Sequence, residues 1–217
     1  MIDEDAAGRR DARVRRRTWV TGGILLVLAA LVGFVARFEL GRFAQVKDLL
    51  WAVGVVVLVI GLGRAGSITG RKMLASVVVL LQVLVASPLA WAYVSSLVLK
   101  DPASPQAEED SWKSIFPLYY LVLSSLTVFA ALLIGIARSL PSPWNWAPAW
   151  VLGAAFISLL VGAMMFPGMA GAVRVAWEIP GVGTAFLGVL GIVLGLRAAS
   201  VRTASPAPAS DQESITS

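Results

Sequence analysis

The chain has no cysteine and no histidine. Without cysteine there is no disulfide framework, no thiol nucleophile and no thiolate metal site. Without histidine the commonest general base, the usual haem and zinc ligand and the ordinary neutral-pH switch are all missing. Charge is scarce as well: Asp, Glu, Lys and Arg make up 14% of 217 residues. The placing of the acids excludes more than their number. Glu39, Asp48, Asp101, Glu108, Glu109, Asp110 and Glu178 fall at the ends of apolar runs or between them. No carboxylate is therefore expected at mid-membrane depth, where a proton or sodium relay would need one. A serine hydrolase would need a base, and Lys72, Lys100 and Lys113 lie at the edges of apolar runs. A P-loop, a dinucleotide fingerprint and metal-ligand spacings are absent too. The expectation is a protein that is not an enzyme, with no catalytic residue, cofactor or metal.

What the chain has instead is apolar length. Residues of apolar type make up 58% of it, and the mean hydropathy is +0.80. Arg9, Arg10, Arg13, Arg15, Arg16 and Arg17 precede an apolar run over 19–36, close to the ~20 residues that cross a ~30 Å hydrocarbon core. That run is too long for a signal-peptide core and no A-x-A-like site follows it, so it is expected to remain in the protein. The net charge of +5 would suggest nucleic acid in a soluble protein. With a third of the cations in the N-terminal run, it points instead to topology and to anionic lipid, with no nucleic-acid partner. Arginine outnumbers lysine 14 to 4, a bias that hints at a GC-rich bacterial genome.

The apolar runs predict an all-α integral membrane protein of six transmembrane helices, near 19–36, 49–63, 73–99, 115–137, 146–166 and 180–196. A disordered basic tail over 1–17 precedes this 18–198 domain, and a disordered tail over 199–217 follows it. Phe38 to Asp48 alternates apolar and charged residues, as a helix lying in the interface would. Pro88 falls inside the third run and should kink it. Residues 100–114 form the largest polar loop, 167–178 a Gly-rich connection, and Pro180 suits the first turn of the sixth span. With both termini in the cytoplasm, twelve basic residues lie inside and six outside, the asymmetry expected of a multi-pass protein of the plasma membrane. The eight tryptophans then fall near the two interfaces, as amphipathic indoles do.

Three features stand out inside the spans. Thr184, Gly188, Gly191 and Gly195 recur at i, i+4, i+7 and i+11, a small-residue stripe along which another helix can pack closely. Gln82 is a lone amide within an apolar run and is expected to bond across helices. Glu178, two residues before Pro180, is the nearest acid to a span and reads first as a solvated helix cap. The hydroxyls of Tyr119, Tyr120, Ser124, Ser125 and Thr127 cluster in the fourth span, where such groups usually bond their own upstream carbonyls.

These features favour an accessory, assembly or scaffold component that acts through helix contacts, with a membrane-protein partner or a second copy of itself. The alternative is a small transporter or the membrane substrate-binding subunit of one. A cavity separates the two classes: a ligand-handling protein needs polar groups converging on a space between helices, whereas a scaffold can be packed solid.

Overall fold

The computed structural model describes residues 2–36, 43–62, 66–70, 72–98, 105–165 and 169–203. For some helical stretches, 2–7 and 169–179 among them, only the backbone is described. Every regular element among the described residues is a helix: α1 (Ile2–Val35), α2 (Ala44–Ile60), α3 (Met73–Val85), α4 (Pro88–Ser96), α5 (Pro105–Ala137), a 3-10 turn (Trp144–Trp146), α6 (Ala147–Met165) and α7 (Met169–Thr203).

Four helices are long and apolar enough to cross a membrane, and the bent pair α3–α4 makes a fifth if taken as one span. The chain is thus a helical protein with several apolar helices suited to a multi-pass membrane protein. The second expected span corresponds to α2. Its 17 residues give about 26 Å of helix, short of a ~30 Å core.

The element boundaries depart from expectation where helix propagates past a polarity change. Helix α1 runs without a break from Ile2 through the arginine run, so residue 17 is not a structural boundary. Alanine and arginine are strong helix formers, and the apolar span supplies a nucleus from which the helix extends. Helix α2 takes in residues 44–48 of the expected interfacial segment, and an ion pair joins Lys47 to Asp48 at 3.0 Å; residues 38–42 of that segment lie outside the described residues. Residues 105–114, expected in a loop, are the first turns of α5. Proline stands at the first position, where it costs no hydrogen bond, and Glu109 pairs with Lys113 one turn on at 2.8 Å. Helix α7 begins at Met169, so Pro180 is interior to it rather than at its start. Of the two expected tails, 199–203 is helical backbone and 204–217 lies outside the described residues.

The kink at Pro88 is a full break. The axes of α3 and α4 differ by 56°, and the backbone groups freed there find partners, as groups in lipid must. Ser87 caps α4, accepting from the Ala90 N–H, and its hydroxyl donates to the Leu84 carbonyl at 2.6 Å. The Val85 carbonyl accepts from the Tyr119 hydroxyl at 3.0 Å. Trp91 then packs on Trp112, Phe116 and Tyr119 with ring centroids 5.5 to 6.0 Å apart. Such pairs contribute about 0.5–1.5 kcal/mol each beyond area burial, and they hold α4 against α5.

The helices close on themselves. α1 packs on α2, α2 on α3, α3 on α5, α5 on α6, α6 on α7, and α7 returns to α1 along the most extensive seam. Six helices therefore follow one another round a ring in chain order, with α4 as the bent continuation of α3.

Glycines make the closing seam. A methyl group built on Gly188 would lie 2.7 Å from the Gly23 carbonyl oxygen, and one on Gly23 would lie 2.5 Å from that of Gly188. Gly191 faces the Trp19 carbonyl, and Gly195 lies against Trp19, Val20 and the Arg16 carbonyl. Three members of the small-residue stripe thus lie on α1, in a contact within one chain. The fourth, Thr184, donates its hydroxyl to the Pro180 carbonyl at 2.7 Å.

Candidate functional site: a cavity inside the helix ring

The ring is not packed solid. A half-open cavity of about 370 Å³ lies between its helices, and each ring helix contributes to the wall, with Leu26, Val55, Val79, Ala131, Val151 and Leu187 as examples in chain order. That volume is within the range of small-molecule sites. No Asp, Glu, Lys or Arg lines it among the described residues. A bare ion entering it would meet no countercharge among the described residues.

Three non-aromatic polar side chains reach this wall: Gln82, Thr127 and Thr184. The Gln82 amide donates from Nε2 to the Thr127 hydroxyl at 3.1 Å, joining α3 to α5. Thr127 in turn donates to the Leu123 carbonyl at 2.8 Å. Ser124 and Ser125 of the same hydroxyl-rich stretch are exposed on the outside of the ring. Glu178 lies on the helical backbone of α7, in the stretch whose side chains are not described.

At the end of the ring that holds residues 14–19 of α1 and 194–195 of α7, two connectors seal the bundle. Carbonyls at a helix C-terminus have no partner within the helix, and here the next segment supplies donors. Beyond α2 the chain turns back, so that the Ile68 N–H donates to the Leu58 carbonyl at 3.0 Å and the Ser67 hydroxyl to that of Val59 at 2.5 Å. Ser67, Thr69 and Ser76 form a hydroxyl chain with 2.8 Å links. Thr18, fully buried, accepts from the Leu62 N–H at 2.9 Å.

The second connector follows α5. Arg138 ends that helix with φ 52°, the left-handed value that often closes helices. The Ser139 hydroxyl donates to the Ile68 carbonyl, tying the second connector to the first. Lys72 and Asn145 cap the last turn of α5, donating to the carbonyls of Ile136 (3.3 Å) and Gly135 (2.9 Å). The side-chain amide oxygen of Asn145, Oδ1, is buried and has no hydrogen-bond partner among the described residues.

Trp19 belongs to this closure rather than to an interfacial belt. It is 4% exposed, its indole N–H donates to the Gly66 carbonyl at 2.9 Å, and it packs with Leu26, Leu58 and Leu194. Sequence reasoning passed over Thr18, Ser67, Thr69, Ser76, Ser139 and Asn145. Their one signal is small polar residues flanking apolar runs, which solvated loops show equally.

Resolved pKa displacements outside the spans concern the Glu109–Lys113 pair. Its hydrogen bond and charge attraction lower the Glu109 pKa and raise that of Lys113. Both groups are fully exposed, so the pair supports the first turns of α5 and has no part in the cavity. No group of His, Cys, Asp and Glu able to hold a metal occurs among the described residues. No protein-family model, curated protein or solved structure matches the chain.

Proposed function

We propose that this chain is a non-enzymatic, six-span protein of the plasma membrane, with both termini cytoplasmic, that binds a small molecule within its ring of helices. It would act as a small transporter or as the membrane substrate-binding subunit of one. The cavity carries this reading: it is central, walled by every ring helix and touched by three polar side chains. A scaffold has no need of such a space, so the assembly role that composition alone favours becomes the second reading. The six-span topology draws support from α2 being an equal member of the ring despite its length. A helix ~26 Å long spans where the bilayer thins around it. The arginine run on α1 supports the orientation and favours anionic lipid on that face.

The test is to fill the cavity. Ala131 is buried in its wall, whereas its neighbour Leu132 is exposed on the outside. A diazirine-tagged hexadecane added to protein in phosphatidylcholine nanodiscs should crosslink to wall residues on α5 and α7. Ala131→Phe should abolish that labelling, and Leu132→Phe should leave it intact. Labelling confined to outward residues in the unaltered protein would return the assembly role to first place.

A further inference from the structure

The chemical class of the occupant follows from which protons in the wall are already committed. Thr127 gives its hydroxyl proton to the Leu123 carbonyl and Thr184 gives its own to Pro180. Both oxygens can therefore only accept. Gln82 can make four hydrogen bonds through its amide, and among the described residues its partner is Thr127, through one N–H. It retains a second N–H to donate and a carbonyl oxygen to accept. The non-aromatic side chains of the wall thus offer one donor and several acceptors and Trp51 brings an indole N–H, against an otherwise apolar surface with no charged side chain among the described residues.

We infer that the cavity takes a neutral, predominantly apolar alcohol, whose single hydroxyl accepts from Gln82 and donates to Thr184 or to the Gln82 carbonyl. The inference rests on the ligand-binding reading above and adds the chemistry of the ligand. A carboxylate has no proton to give and would bring a charge into a site with no countercharge among the described residues. An ammonium group can give but not take, and would be equally uncompensated. An alkane fills the volume but leaves the amide's remaining groups unpaired, which is costly in low dielectric. A ketone can accept from Gln82 but gives no proton to the Gln82 carbonyl or to the threonine oxygens. A hydroxyl does both, and linear and isoprenoid membrane alcohols share it.

The experiment is competition against the tagged hexadecane in the same nanodiscs, using 1-hexadecanol, farnesol, hexadecane, 2-hexadecanone and hexadecanoate. Hydrogen bonds between helices in membranes suggest a preference of about three- to thirty-fold for an alcohol over the alkane. Whichever alcohol competes better identifies the linear or the isoprenoid source. Gln82→Leu should reduce the alcohol to the alkane's level while the alkane still competes. Thr184→Val, which leaves the α3–α5 bond untouched, should weaken the preference independently if Gln82→Leu fails to fold. Hexadecane, the ketone or hexadecanoate competing as well as both alcohols would overturn the alcohol assignment and leave apolar binding standing. Failure of every compound to compete would overturn both.

Discussion

Replacing Gly188 by alanine tests how the ring is closed. The added methyl would lie 2.7 Å from the Gly23 carbonyl oxygen, 2.8 Å from Val27 Cγ2 and 2.9 Å from the Val27 backbone nitrogen. Ordinary contact begins near 3.4 Å. The obstacle at the carbonyl is backbone, so no rotamer change relieves it and the helices must part by the difference, about 0.7 Å. A gap of that size forfeits roughly a quarter to a half of each atomic attraction along the seam. Lipid exerts no hydrophobic drive to hold the helices together in compensation. Overpacking of this kind costs about 1–3 kcal/mol, or about a 5- to 150-fold fall in the folded-to-unfolded ratio. The structure also sets an order among glycines. At Gly191 the nearest obstacle is the Trp19 carbonyl at 3.3 Å, so alanine there should cost a few tenths of a kcal/mol, about the effect of a slight local shift. Leucine at Gly191 should match Gly188→Ala or exceed it. At Gly153 nothing lies within 4 Å, and alanine should be neutral or slightly stabilising. Unfolding of the four variants in dodecylmaltoside, followed by circular dichroism, reads the order directly. If Gly188→Ala is as stable as Gly153→Ala, the seam is not held by close backbone approach.

Other outcomes follow from the sealed end, the topology and the missing acids. Thr18→Val keeps the side chain's shape but leaves the Leu62 N–H without its acceptor; the same unfolding assay should show a loss of about 1–3 kcal/mol, and an unchanged midpoint would remove Thr18 from the closure. Because the chain has no cysteine, single cysteines at Arg10 and Gln106 should react from opposite faces of the membrane with an impermeant thiol reagent, and equal labelling of both in intact cells would refute the orientation. Glu178→Gln should leave ligand binding intact, and liposomes holding a pH dye should show no proton flux linked to ligand; a flux abolished by this substitution would make Glu178 a proton carrier.

Local chemistry made part of the fold legible, and long-range pairing hid the rest. Pro88 announces its break because proline lacks an N–H wherever it stands, and Ser87 beside it is a ready cap. The α7 stripe is visible in the spacing of Gly188, Gly191 and Gly195. Its partner surface on α1, around Gly23, carries no comparable repeat, and nothing local pairs residues some 170 positions apart. Gln82 draws attention as a lone amide among apolar residues, but Thr127, 45 positions away, resembles any helical threonine. The sealed end was the least legible part. Ser67, Thr69 and Ser139 have the composition of a solvated turn, and only the return of the chain onto the end of α2 turns them inward. Polarity also misplaced helix starts, because it marks where a helix leaves the membrane rather than where its hydrogen bonding stops. Residues 2–17 and 105–114 show the difference.

A ring that follows chain order and is closed most firmly between its first and last helices has a consequence for synthesis. Each helix from α2 to α6 can dock on the one made just before it, a contact of short loop closure. The α1–α7 seam has no such neighbour to use. Through most of elongation the Trp19–Gly23 edge of α1 that meets α7 faces either lipid or the insertion machinery, complete in itself yet without its partner. The final helix is then the one that converts an open arc into a closed wall. Until it arrives the cavity lacks one wall, so under the proposed function the capacity to hold a ligand would be acquired in a single late step. A chain cut short before α7 would keep most of the wall residues and have no interior.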